Sequence, residues 1–156
     1  NNIMTILRNT LVGAGFAVAA IALTPTQASA DIIVNTFCSL ENSTDETFED
    51  RYFDVYYFDG QAGDPVAAVM TGPDFDTIVK LVDADGIPVL ENDDASPDTT
   101  NSAFFGEIPA DGGYAIVATT HTYLGEGPYY LVAATGADAS EETIYDEIDY
   151  AVACNE

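Results

Sequence analysis

The sequence predicts an antiparallel β-sandwich of eight to nine short strands, and three observations carry that prediction. After Asp31, apolar and polar residues alternate with a period of two, as where Ile78, Lys80 and Val82 interleave with Val79, Leu81 and Asp83. Turn chemistry built on Gly, Pro and Asp recurs at about ten-residue intervals. No helical period persists for three turns.

Ile32 to Leu40 is the first expected strand, and the polar, acidic run Glu41 to Asp50 reads as a loop. Tyr52 to Phe58 is an aromatic strand that turns through Gly60 to Asp64 into a strand from Val66 to Met70. Phe75 to Asp94 reads as a β-hairpin, with Asp85-Gly86 supplying residues that tolerate positive φ and Ile87 to Leu90 returning as its second strand. Asp93 to Asn101 is a loop, followed by strands at Ala103 to Ile108, Tyr114 to Thr120 and Tyr129 to Ala134. A polar link from Gly136 to Thr143 leads to a last strand from Tyr145 to Cys154, with Ile148, Tyr150, Val152 and Cys154 on one face. Among the aromatic residues at 52–58, alternation buries about half and leaves Tyr56 or its neighbours outside.

Residues 1–30 have the form of a secretory signal peptide. Arg8 precedes an apolar stretch from Leu11 to Leu23, and Ala28-Ser29-Ala30 stands before Asp31 as a small-residue cleavage motif. Asn1 to Ile3 stand ahead of Met4, the expected initiator. The stretch is too short and too rich in Gly and Ala for a convincing membrane span. Cleavage after Ala30 gives a secreted, extracellular or periplasmic chain, and removing 30 of 156 residues leaves 126, one domain's worth. All 27 acids lie in this part against Arg51 and Lys80 alone, so its formal charge is −25. That balance argues against nucleic acid and anionic lipid as partners, which need clustered cations, and favours metal cations or simple solubility. The eight Phe and nine Tyr argue against a disordered acidic tail.

Cys38 and Cys154 fall near the two ends of the exported part, and export makes a disulfide between them the default. Two free thiols, or bonds to other chains, are the alternatives.

From Arg51 to Ala134 the order of motifs resembles the bacterial pre-peptidase C-terminal (PPC) domain. The residues that carry the resemblance are Tyr52-Phe53, AGDPV at 62–66, FDTIVKL at 75–81, DADG at 83–86, NDD at 92–94, IPADGGYAIV at 108–117 and GEGPYYLVA at 125–133. The resemblance implies a jelly-roll-like sandwich that accompanies secreted peptidases as a non-catalytic appendage, with calcium bound in some relatives and matrix proteins bound by related collagenase modules. No peptidase domain precedes the motifs in this sequence.

Asp74, Asp76, Asp83, Asp85, Asp93 and Asp94 form the candidate metal site, because Ca2+ takes six to eight oxygen ligands from carboxylates and carbonyls in loops. DADG has the spacing of the start of a calcium loop but lacks the distal Glu. The competing explanation is structural: Asp85-Gly86 is a turn, and Asp93 and Asp94 cap loop amides. Glu41, Asn42, Asp45 and Glu46 are a second acidic group, equally readable as a solvated loop. A single histidine, His121, excludes multi-histidine metal centres and reads as an exposed turn residue. Neither Ser96 nor Ser102 has a nucleophile-elbow context, so no catalytic residue is assigned. The sequence therefore reads as a non-catalytic binding or accessory module with an extracellular protein or polysaccharide as partner. The alternatives are a self-assembling surface or matrix subunit and, behind it, a carboxylate-based hydrolase.

Overall fold

The computed structural model describes residues 31–41, 46–48, 50–148 and 152–154, so the expected signal peptide lies outside the described residues. Among the described residues ten strands form two sheets: β1 (Asp31–Leu40), β2 (Glu46–Phe48), β3 (Arg51–Gly60), β4 (Pro65–Thr71), β5 (Thr77–Asp83), β6 (Pro88–Asn92), β7 (Ser102–Glu107), β8 (Gly112–Thr120), β9 (Gly127–Thr135) and β10 (Val152–Ala153). The first sheet has the order β10-β1-β9-β4-β7 and the second β2-β3-β8-β5-β6. All pairings are antiparallel except that of β10, which lies parallel to β1. Among the eight long strands, only β5 and β6 are consecutive within one sheet, and every other link crosses between the layers, as in a jelly roll.

Alternation makes the core. On β3 and β8 the even-numbered residues point inward, including Tyr52, Tyr56, Phe58, Tyr114, Ile116 and Ala118, and on β5 the odd-numbered Val79 and Leu81 do. They meet Leu40, Val66, Met70, Leu131 and Ala133 of the first sheet. Gly106 on β7 lets Leu90 of β6 reach across, since a Cβ there would stand 2.6 Å from Leu90 Cδ1. Tyr56 faces in and Tyr57 faces out, 82% exposed, so alternation selects Tyr57 as the outward tyrosine of this strand.

A polar tie crosses the core. The fully buried Tyr129 of β9 donates its hydroxyl to Asp54 Oδ2 of β3, and its oxygen lies 2.7 Å from the hydroxyl of Tyr56. With Tyr129 donating to the carboxylate, Tyr56 is the donor to Tyr129. Burial, then the neighbouring Tyr56 and Asp54, push the Tyr129 phenol far above its ordinary value of 10.0.

The last part of the chain departs from expectation. Where a strand from Tyr145 was expected, helix α1 (Glu141–Glu147) forms after a 3-10 turn at Gly136–Asp138. Ser140 caps it by accepting from the Thr143 amide at 3.2 Å, Glu141 and Glu142 favour its first turn, and Ile144 and Ile148 fall four apart on one side. They pack on Ala67, Val69, Val132 and Ala134, the outer face of the first sheet. Asn35 Nδ2 donates to the Glu147 carbonyl at 3.1 Å and fastens the helix end to β1. Among the described residues of the expected terminal strand only Val152–Ala153, β10, are extended, while in the expected loop Glu41 to Asp50 the short strand β2 pairs Thr47 with Tyr52 and Phe48 with Arg51. Thr and Phe favour that pleated edge.

Cys38 and Cys154 form a disulfide that spans 116 residues of sequence, and the Cys154 amide donates to the Phe37 carbonyl at 2.9 Å. Closing a loop of this size stabilises the fold by roughly 4 to 5 kcal/mol in the chain-entropy model. Denaturant unfolding of Cys38→Ala with Cys154→Ala should show a loss approaching that amount, and non-reducing peptide mapping of the native chain one cross-linked pair. Unchanged stability, or alkylatable thiols in the native chain, would contradict the clasp.

Candidate functional site

The six acids singled out from the sequence divide between the two ends of β5. At one end is the β5–β6 turn, where Asp83 Oδ1 accepts the amides of Asp85 at 3.0 Å and Ile87 at 2.9 Å. Gly86 adopts φ +76° and donates to the Asp83 carbonyl. Those contacts account for Asp83 as a turn-former, with Asp85 exposed beside it. Because Ile87 closes this turn, the return strand begins one residue later, at Pro88.

At the other end, seven residues away and therefore about 23 Å along an extended strand, lie Asp76, Asp93 and Asp94. The Asp93 to Asn101 loop is held by its own backbone and amides: Asn92 Nδ2 donates to the Asp94 carbonyl, Asn92 Oδ1 accepts from Ala103, and Ala95 donates to the Asn101 carbonyl. His121, from the β8–β9 connection, donates its amide to the Asp76 carbonyl at 2.9 Å. Its Nδ1 lies 3.5 Å from Asp93 Oδ2. Asp76 Oδ1 is buried without a hydrogen-bond partner. Asp74 is exposed two residues before it.

The electrostatics of this end follow from that geometry. Burial pushes the Asp76 carboxyl above its ordinary value of 3.8; His121 opposes the shift, and the charges of Asp94 and Asp93 reinforce it. Its donor chemistry suits a hard cation, with an orphaned carboxylate oxygen and two acidic neighbours. Among the described residues, however, no group of three or more His, Cys, Asp or Glu is arranged to hold a metal ion. Of the second acidic group, Asn42 to Asp45 lie outside the described residues.

The same end of the sandwich presents the β8–β9 loop, of which the sequence singled out His121 as an exposed turn residue. His121, Tyr123 and Leu124 are exposed there, and Leu124 has φ +51° and donates its amide to the Asp50 carbonyl. The Arg51 guanidinium lies 4.8 Å from the Tyr123 ring centre, a cation–π contact. Among the described residues no helix is long and apolar enough to cross a membrane.

No protein-family model matches the chain, and no curated protein matches it. Among solved structures, it is similar to the pre-peptidase C-terminal domain of a collagenase from Bacillus anthracis, with 14% identity, a TM-score of 0.45, and coverage of 64% of this chain and 89% of that one. It is also similar to PliG of Aeromonas hydrophila, a periplasmic inhibitor of g-type lysozyme, with 14% identity, a TM-score of 0.44, and coverage of 65% and 87%. The first of these is a PPC domain, the family whose motifs the sequence resembles.

Asp76 yields a prediction with a definite sign. Its folded-state pKa is raised, so its contribution to stability is complete below its unfolded value near 3.8 and is lost as pH rises through the folded value. At pH 7, in chelator and without divalent cations, Asp76→Asn should therefore raise the Tm, and the gain should vanish near pH 3. A lower Tm at pH 7 would show that the charged carboxylate has a favourable partner.

Proposed function

We propose that this chain is a secreted, non-catalytic binding module of the PPC type, stabilised by Ca2+, with an extracellular protein or polysaccharide as its partner. The seven sequence motifs support the module reading. Tyr52-Phe53 begins β3, AGDPV turns into β4, FDTIVKL enters β5, DADG is the β5–β6 turn, NDD ends β6, IPADGGYAIV enters β8, and GEGPYYLVA is β9 with its preceding turn.

The observation that carries the calcium part is the buried, unpartnered Asp76 Oδ1 beside two further acids. A carboxylate oxygen out of water without a donor is costly, and like charges around it add to the cost. A bound cation reverses both terms. Asp76, Asp93 and Asp94 would hold the ion, with Asp93 leaving its contact with His121 to do so. Asp83 and Asp85, engaged at the far turn, would take no part.

Extracellular modules bind Ca2+ with Kd values of about 0.1 to 1 mM, so the effect belongs at millimolar calcium. At a hundredfold excess over Kd, binding contributes roughly 2.7 kcal/mol and should raise the Tm by several degrees. Magnesium at matched ionic strength should do much less, because general screening of the acidic surface would respond to both ions alike. Asp93→Asn with Asp94→Asn should abolish the calcium-specific part. Equal shifts with the two ions, or a calcium-specific shift that survives in the double variant, would remove the site. Sedimentation of the secreted chain should give a monomer, and ordered higher assemblies would favour a self-assembling subunit instead.

A further inference from the structure

The two sheets differ in what covers their outer faces. Helix α1 lies on the outside of the first, whereas the outside of the second carries a groove of about 330 Å3 lined by Arg51, Phe53, Val55, Lys80, Val82, Gly86, Pro88, Val117 and Thr119. Its floor is apolar. Arg51 and Lys80 are the only Lys or Arg in residues 31–156, where all 27 acids also lie, and both line this one groove.

Register orders these groups along the groove. Val55, Val117 and Lys80 form one row across β3, β8 and β5; Tyr57, Ala115 and Val82 form the next; Phe53, Thr119 and Ile78 form the row before, with Arg51 beyond Phe53. The two cations thus bracket the Phe53–Thr119 row, and the apolar floor runs from there over Val55 and Val117 to Val82. Past Val82 the face continues to Asp59 and Asp83, so its ends are of opposite charge.

We propose that this groove binds a small amphipathic carboxylate, its head between Arg51 and Lys80 and its apolar body on Val55, Val117 and Val82. The volume falls at the lower end of the ~300–1,000 Å3 typical of small-ligand sites, which favours a compact ligand. Lys80 already meets Glu91 Oε2 at 3.1 Å, and Arg51 meets the Tyr123 ring and the His121 carbonyl. A surface pair of this kind contributes little on its own, and an ammonium has three donors, so Lys80 can serve a second anion. The chain's overall negative charge does not forbid an anion here. Screening over about 8 Å at physiological salt removes most of the distant repulsion and leaves the contact attraction.

The test uses decanoate and its uncharged analogue decanamide, titrated into the 15N-labelled exported chain. Decanoate should shift amides at Phe53, Val55, Val82 and Val117 and bind about tenfold or more tightly than decanamide, as expected for a charge-assisted contact. Lys80→Gln and Arg51→Gln should each weaken decanoate by a similar factor and leave decanamide unchanged. Equal binding of the two ligands, shifts centred elsewhere, no binding at millimolar decanoate, or full affinity in both variants would each overturn the proposal. The comparison of the two ligands on the unaltered chain decides the matter even if a variant folds poorly.

Discussion

The constraint on which this structure depends is that each strand can bury only one of its two faces. With period two, the inward residues of β3, β5 and β8 must meet those of β1, β4 and β9, and the fully buried Leu40, Met70, Leu81, Ile116 and Leu131 show that they do. Burying a large apolar side chain is worth about 1.5 to 3 kcal/mol, so a slip of one residue in any central strand would forfeit several such terms together.

The two outer faces are resolved differently. On the first sheet Ala67, Val69, Val132 and Ala134 are small or β-branched and leave room for a short helix whose Ile144 becomes fully buried, while Phe37, Phe105 and Tyr130 remain exposed. On the second the outward residues are a mixture of valines, aromatics and the two cations, and among the described residues no helix lies over them. This asymmetry gives the domain one side partly covered by a helix and one side with no helix over it among the described residues. At its end, the β4–β5, β6–β7 and β8–β9 connections gather Asp76, Asp93, Asp94 and His121.

The long strands were legible in the sequence because their alternation and turn residues agree, and the β5–β6 hairpin was the clearest because Asp85-Gly86 marks its turn. The terminal segment misled for a physical reason. Ile148, Val152 and Cys154 do share an even spacing, but Ser140 with Glu141 and Glu142 is a helix start, and Ile144 with Ile148 is a helical spacing too short to register over three turns. For the acids, the strand read between Asp76 and Asp83 already implied their separation of about 23 Å, and grouping all six as one site overlooked that length. The sequence could not reveal that Arg51 and Lys80, 29 positions apart, share a face, since that depends on the registers of β3 and β5 with β8. Asp54 stands at an inward position of β3, where it accepts from the Tyr129 hydroxyl across the core.

That buried phenol has a consequence for how the fold responds to base. The chain has no tryptophan, so its near-ultraviolet absorbance comes chiefly from nine tyrosines, of which Tyr129 is fully enclosed. Its folded pKa stands far above the unfolded value near 10, so unfolding becomes progressively easier as pH rises beyond 10, where the released phenol ionises and the native one does not. Ionisation of Tyr129 at high pH is thus coupled to collapse of the core, and it reports, without any added label, on the join between the two sheets.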